Sequence, residues 1–376
     1  PSIDVGMSNF GSMIGGGTAL YWSDLLGYHN VMTAFQTATT SEGSNFFRNI
    51  AGMASYMNQR TRWNWGFAGG QVPFLSGDYG RGVTEIDGEL VAFDQAVRYW
   101  QISRELSGIV SYPFSRAQRV EFTAGYQNID FAADTTIQVF DPFTGQFLGE
   151  DRRDLDAPGS LNMGTASAAL VYDTSIFAGT SPVAGQRYRF EFGTAAGSLN
   201  YSTALADYRR YFRVTRKLAL AGRLMHYGRY GGGASDTRLQ DIFLGYPSLI
   251  RGYTPGSFTV SECPPDVNET GACPVFDRLL GSRMAVANAE LRIPLLGFLG
   301  VIPSRSVPPV EIAPFFDAGI AWNRQENFGR DRIVRSTGIS ARVNLLGFAI
   351  GQISYVHPLD RPAKSWLWEF TLIPGF

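Results

Sequence analysis

The most pointed chemistry in the sequence lies in Arg251, within Leu249-Ile250-Arg251-Gly252-Tyr253, and in the carboxylates Glu290 and Asp317. Both acids fall in segments that alternate. From Arg283 to Ile293, Met284, Val286, Asn288, Glu290 and Arg292 take one side, and Ala285, Ala287, Ala289, Leu291 and Ile293 the other. From Val310 to Ile320, Glu311, Ala313, Phe315, Asp317 and Gly319 oppose Val310, Ile312, Phe316, Ala318 and Ile320. A period of two belongs to a strand, so Glu290 and Asp317 are expected on one face of neighbouring strands. Two carboxylates confined together repel unless a cation lies between them. Arg251 would supply that cation, with a fork suited to carboxylates, if its loop folds back onto this face. Gly252 would permit the tight turn, and Tyr253 would pack on walls such as Phe315. The expectation is a buried ionic lock; the alternatives are an ordinary solvated loop arginine or a static plug.

The other reactive side chains offer less. Cys263 and Cys273 are the only cysteines. Ten positions apart in one loop, they read as a disulfide if the chain is exported. A metal site would need histidines nearby, and there are none. His29, His226 and His357 lie far apart, with no zinc-type spacing around them. No Gly-x-Ser-x-Gly, P-loop or dinucleotide fingerprint occurs. The expectation is no enzyme, no catalytic residue, no metal and no cofactor.

The elements that would hold the lock are β-strands throughout. The chain has 376 residues, a net charge of −1, 44% hydrophobic, 14% aromatic and only 17% charged residues, and 43 glycines. Such a balance argues against nucleic acid as a partner and against disorder. The positive charge is nearly all arginine, with Lys217 and Lys364 the only lysines. Either a GC-rich genome or a polar interior favouring bidentate pairing would explain that. No apolar run is long enough for a spanning helix, and Pro1-Ser2-Ile3-Asp4 is no signal peptide.

Alternation recurs along the chain. Arg187, Arg189 and Glu191 oppose Tyr188, Phe190 and Phe192; Trp366, Trp368, Phe370, Leu372 and Phe376 oppose Leu367, Glu369, Thr371 and Ile373. Strands are expected near 2–9, 16–25, 30–40, 46–58, 63–75, 91–111, 117–133, 160–177, 186–198, 202–215, 217–230, 283–294, 309–322, 334–346, 348–358 and 364–376. Segment 91–111 alternates poorly, because Arg98 and Arg104 share a side with Trp100 and Ile102, and a bulge would repair its phase. Short turns (Asp24–Asn30, Pro113–Arg116, Val214–Lys217) contrast with long connections at Thr135–Gly159 and Gly231–Ser282. The fold class expected is all-β: one closed antiparallel transmembrane β-barrel of about sixteen strands over residues 1–376.

Four features in order resemble the BamA/TamA superfamily of outer-membrane assembly barrels, the bacterial surface antigen family. They are Arg251-Gly252-Tyr253; Glu290 ahead of Pro294; Phe315, Asp317 and Gly319; and Tyr172-Asp173 with Phe177, Pro182 and Gly185-Gln186-Arg187-Tyr188. The terminal Phe376 suits the aromatic that such barrels end on, as an insertion signal with Phe370. The resemblance covers residues 172–376 and is loose over 1–130. It implies that residues 231–282 are the sixth extracellular loop, folded inward. Some members carry a cysteine pair there.

It further implies a bacterial outer-membrane location and a role in inserting or translocating polypeptides. Lipids would be partners, and unfolded outer-membrane proteins or periplasmic and lipoprotein components would be candidates. A weak seam is implied between Ser2–Asn9 and Lys364–Phe376, where Pro374 and Gly375 would either interrupt the ladder or simply end the strand. Family members carry periplasmic modules ahead of the barrel, and none is found in this chain. The segment from Trp22-Ser23-Asp24-Leu25-Leu26-Gly27 to Trp63-Asn64-Trp65 more faintly resembles barrels fused behind periplasmic propellers. The alternative role is therefore a structural anchor or export pore.

Overall fold

The computed structural model describes residues 2–8, 11–40, 50–86, 88–215, 217–264, 273–295, 308–323, 329, 332–345, 347 and 349–374. Two compact units emerge: Pro1–Tyr112, Glu121–Ser167 and Ala195–Leu199 in the first, and Pro113–Val120, Ala168–Thr194 and Asn200–Phe376 in the second.

The first unit is built on β1 (Ser2–Ser8), β2 (Gly11–Ser23), β3 (His29–Thr40), β4 (Ile50–Asn58), β5 (Asn64–Ile86), β6 (Glu89–Pro113), β7 (Gln118–Phe140), β8 (Phe147–Leu155) and the first half of β9 (Leu161–Asp173). Antiparallel ladders join β1 through β6 in chain order, and β7 to β8. The β5–β6 register runs unbroken from Asn64 opposite Ser111 to Ile86 opposite Glu89. The bulge expected in 91–111 is therefore absent from this pairing. Arg98 shares a buried face with Trp100 and Ile102 because its charge is matched there. Its Nε donates to Asp134 Oδ1 at 2.7 Å and its Nη2 to Thr136 Oγ1 at 2.8 Å, while Arg152 takes the other Asp134 oxygen at 2.8 Å. Alternation fails as a guide where a buried face carries a neutralised pair among apolar side chains.

Residues 135–159 are also not a plain loop. β7 continues to Phe140 and folds back as β8, with Ala133 opposite Leu155. The turn follows from Asp141, whose carboxylate accepts the N–H groups of Phe143 and Thr144 at 2.8 and 2.7 Å.

The second unit holds β10 (Ile176–Phe177), β11 (Pro182–Gly197, as far as Thr194), β12 (Tyr201–Thr215), β13 (Leu218–Tyr230), β14 (Ile242–Phe243), β15 (Leu280–Gly281), β16 (Arg283–Pro294), β17 (Val310–Trp322), β18 (Val334–Leu345), β19 (Ala349–Pro358) and β20 (Leu367–Pro374). Antiparallel ladders join β12–β13, β13–β16, β16–β17, β17–β18, β18–β19 and β19–β20. The described residues form twenty strand segments: one in each of the sixteen expected places, and four more, β8, β10, β14 and β15. β8, β14 and β15 lie in the expected long connections. The expected 160–177 segment divides into β9 and β10, where Asp173 Oδ1 captures the Ser175 N–H at 2.9 Å and turns the chain out of the ladder.

The described parts of the 231–282 connection, 231–264 and 273–282, pack on one face of β16–β18. The β14–β15 ladder pairs Ile242 with Gly281, and a short helix, α1 (Pro274–Asp277), follows the disulfide. Phe243, Leu244, Leu249, Ile250, Tyr253 and Leu279 form one buried apolar cluster with Met284 and Val286 of β16, Ala321 of β17 and Val334 of β18. Each of the Val, Leu, Ile, Met and Phe side chains among them, removed from water, contributes roughly 1.5–3 kcal/mol. The opposite face is apolar and uncovered, with Trp368 and Phe370 of β20 at 70% and 69% exposure.

Candidate functional site

The β16–β17 register sets Asn288 opposite Asp317 and Glu290 opposite Phe315, so the two acids are diagonal neighbours on the covered face. Arg251 descends between them. Its Nε and Nη2 donate to the two oxygens of Asp317 at 2.7 and 2.8 Å, and its Nη1 donates to Glu290 Oε1 at 2.8 Å and to Ser340 Oγ at 3.2 Å. All three charged groups are nearly sealed from solvent, at 4% (Arg251), 8% (Glu290) and 0% (Asp317) exposure. The planar guanidinium lies 3.5 Å from the centroid of the Phe315 ring. What faces Phe315 is therefore Arg251. Tyr253, expected against that ring, instead packs in the loop's apolar cluster and donates its hydroxyl to the Arg335 carbonyl at 2.9 Å. Burial pushes the Tyr253 phenol up to about 12, which keeps it a donor.

The two glycines are there for space. Gly252 has φ +89°, and a Cβ on it would come 2.9 Å from Val356 Cγ1. A Cβ on Gly319 would lie 2.3 Å from Ile250 Cδ1, so Gly319 makes room for the residue that precedes Arg251. Phe315, Asp317 and Gly319 thus offer a ring, a fork and a gap at successive positions of one strand face.

The network extends beyond the residues read from sequence. Arg342 donates to Glu290 Oε1 at 2.6 Å and Oε2 at 3.0 Å, to Glu311 at 2.9 Å and to Gln352 at 2.7 Å. Arg292 donates to Glu290 Oε2 at 3.0 and 2.9 Å. Glu311 also accepts the hydroxyls of Thr180 and Ser181, at 3.1 and 2.5 Å. Arg342, Arg292 and Glu311 sit at positions that alternation assigns to the covered face, and that was the available signal. Arg361, which holds Glu262 at 2.8 Å and the Gly252 carbonyl at 2.7 Å, lies in a connection and has no such signal. A cavity of about 260 Å³ adjoins the network, lined by Arg209, Arg223, Arg292, Arg342, Glu290 and Gln352 among others.

The remaining sequence expectations are distributed elsewhere. Phe370 points to the uncovered face, away from the lock. Pro374 is the last residue of β20, paired opposite Ala349, so the ladder reaches it. Asn9, Gly375 and Phe376 lie outside the described residues. Tyr172 and Tyr188 stack with ring centroids 5.0 Å apart. His29 bonds Tyr56, His226 bonds Tyr230 and His357 stacks on Trp366, each in its own neighbourhood.

Cys263 and Cys273 are joined. Thiol titration of the denatured, unreduced protein should find none free, and two after reduction. Closing a loop of about ten residues is worth about 2–3 kcal/mol. Reduction should therefore raise protease cleavage within 231–282 while cleavage elsewhere stays unchanged; a cleavage pattern indifferent to reductant would refute this.

The family model described as the Omp85 superfamily domain matches residues 92–364. No curated protein sequence matches. Among solved structures, BamA from Haemophilus ducreyi lacking POTRA domains 1–3 aligns at TM-score 0.52 and 14% identity, covering 99% of this chain and 75% of that one. CdiB from Acinetobacter baumannii aligns at TM-score 0.56 and 13% identity over 100% of this chain, and CdiB from Escherichia coli at 0.51 and 13% over 99%. This chain spans only 59% and 62% of those two CdiB chains.

Proposed function

Because this chain belongs to the Omp85 superfamily, outer-membrane β-barrel proteins of Gram-negative bacteria, we propose that it inserts polypeptides into the outer membrane or moves them across it. In this reading the strands close into one barrel of about sixteen membrane-crossing strands, with residues 1–376 as a single domain. Residues 231–282 are its inward-folded sixth loop. Unfolded outer-membrane proteins are the substrate class, and lipids surround the apolar face.

One observation carries the proposal. A fifty-residue connection that any sheet could leave in solvent is instead fastened to the wall by a buried charge network centred on Arg251. A static plug could be held by apolar contacts alone. An ionic anchor has few ways to be partly made, so it favours two defined loop positions over a continuum. Arg251, Gly252, Tyr253, Glu290, Phe315, Asp317 and Gly319 form the lock, and its release is the step that admits a substrate.

The test is reconstitution in phospholipid vesicles with a urea-unfolded outer-membrane barrel as client, folding being followed by heat-modifiable gel mobility. Vesicles carrying the protein should fold the client faster than empty vesicles, and Asp317→Asn should lower that rate. A structural anchor or pore would leave client folding at the empty-vesicle rate, and that result would overturn the proposal.

A further inference from the structure

Gly252 is gripped on both sides of its α-carbon by one hairpin, β19–β20 with its connection. Its N–H donates to Glu369 Oε1 at 3.0 Å, and the Thr254 hydroxyl donates to the same oxygen at 3.3 Å. Its carbonyl accepts from Arg361, which also holds Ser257 Oγ at 2.8 Å and the Ser257 carbonyl at 2.9 Å. Arg251 fastens the loop to β16 and β17; Gly252, one residue on, fastens it to the final strand.

Glu369 makes that second attachment unusual. It is buried on the covered face of β20. Among the described residues, the hydrogen bonds its side chain accepts come from the loop, and its other oxygen, also buried, accepts none. Ser354 stands opposite it on β19 but bonds Ser340 and Gln352 instead. The sheet thus provides Glu369 with a site and the loop provides its donors. If the loop withdraws, a carboxyl is left buried with no donor, which costs far more than a mean hydrogen bond. β20 must then shift to let water reach it. By linkage, anything that displaces β20 weakens the loop's seat to the same degree.

We propose that Glu369 is a positioning residue coupling the seat of loop 231–282 to the stability of the terminal strand β20. In the transport reading this joins release of the lock to loosening of the last strand. The inference rests on that reading for its use only: exchange kinetics test the coupling and vesicle folding tests transport, so either can fail alone.

Hydrogen exchange of the full chain in lipid nanodiscs measures it. Arg251→Ala should raise exchange of the β20 amides about ten-fold or more, the cost of leaving a buried acceptor without its donors, with β12–β13 unchanged. In a Glu369→Leu background the same Arg251→Ala change should leave β20 exchange where it was, because no carboxyl remains to be stranded. Glu369→Gln keeps an acceptor oxygen for Gly252 and should behave as wild type. Should Arg251→Ala fail to fold, Thr254→Val, which removes one donor and leaves the Arg251 anchor, gives the same comparison. An equal rise in β20 exchange in the wild-type and Glu369→Leu backgrounds overturns the proposal. So does a rise shared by β12–β13.

Discussion

Replacing Arg251 by alanine is expected to lower stability by about 3–5 kcal/mol and to free residues 231–282 for proteolysis. The size follows from what is left behind. Asp317 is fully buried and would keep only the Asn288 amide at 2.8 Å, because the 3.3 Å bond from the residue-251 N–H leaves with the loop. Glu290 would still hold Arg342 and Arg292, so the penalty concentrates on Asp317. Two further variants sharpen the test. Arg251→Lys keeps the charge but cannot fork, and should fall between wild type and alanine. Arg251→Ala with Asp317→Asn removes the stranded charge and should cost less than the two changes summed. The readouts are the denaturation midpoint in detergent and limited proteolysis. An unchanged midpoint together with a protected loop would show that the arginine holds nothing.

Glu290→Gln should be comparably harmful, about 3–5 kcal/mol, by a different route. Five hydrogen bonds from Arg251, Arg342 and Arg292 converge on this one carboxylate. An amide offers a single acceptor oxygen and points N–H donors at guanidinium donors. It also leaves three cations with one fewer countercharge. Removing a competing cation, as in Glu290→Gln with Arg342→Met, should recover part of the loss. The loop itself should stay seated, because the Asp317 fork is untouched. The pair of variants is therefore diagnostic: both lower the midpoint, but only Arg251→Ala exposes 231–282. If Glu290→Gln exposes the loop as fully as Arg251→Ala, the Glu290 half of the lock holds the loop as firmly as the Asp317 half does.

Several elements were legible because their signals are local. The alternation in 283–293 and 310–320 names the covered-face residues one by one, from Met284 to Gly319, since a strand's side chains have only two directions to take. Arg98 escaped the same reasoning. Its side is correct by parity, but parity cannot tell that Asp134, thirty-six residues away, would neutralise it. The β7–β8 hairpin escaped because its outer part alternates weakly, and Asp141 sets its turn through backbone contacts that polarity counts do not register.

What the sequence by itself determined is which side chains share a strand face, that Arg251 and two acids on one such face could neutralise one another, and that Cys263 and Cys273 could pair. Those are consequences of period, charge and proximity along the chain. The tertiary structure alone decided who meets whom. Register made Phe315, not Asp317, the direct neighbour of Glu290, and put Phe315 beneath the guanidinium rather than beside Tyr253. The path of a fifty-residue connection brought Gly252 to Glu369, 117 positions away, and Arg361 to Glu262. A loop has no period, so nothing local fixes its course; apolar burial against β16–β18 and the demand of buried charges for partners do.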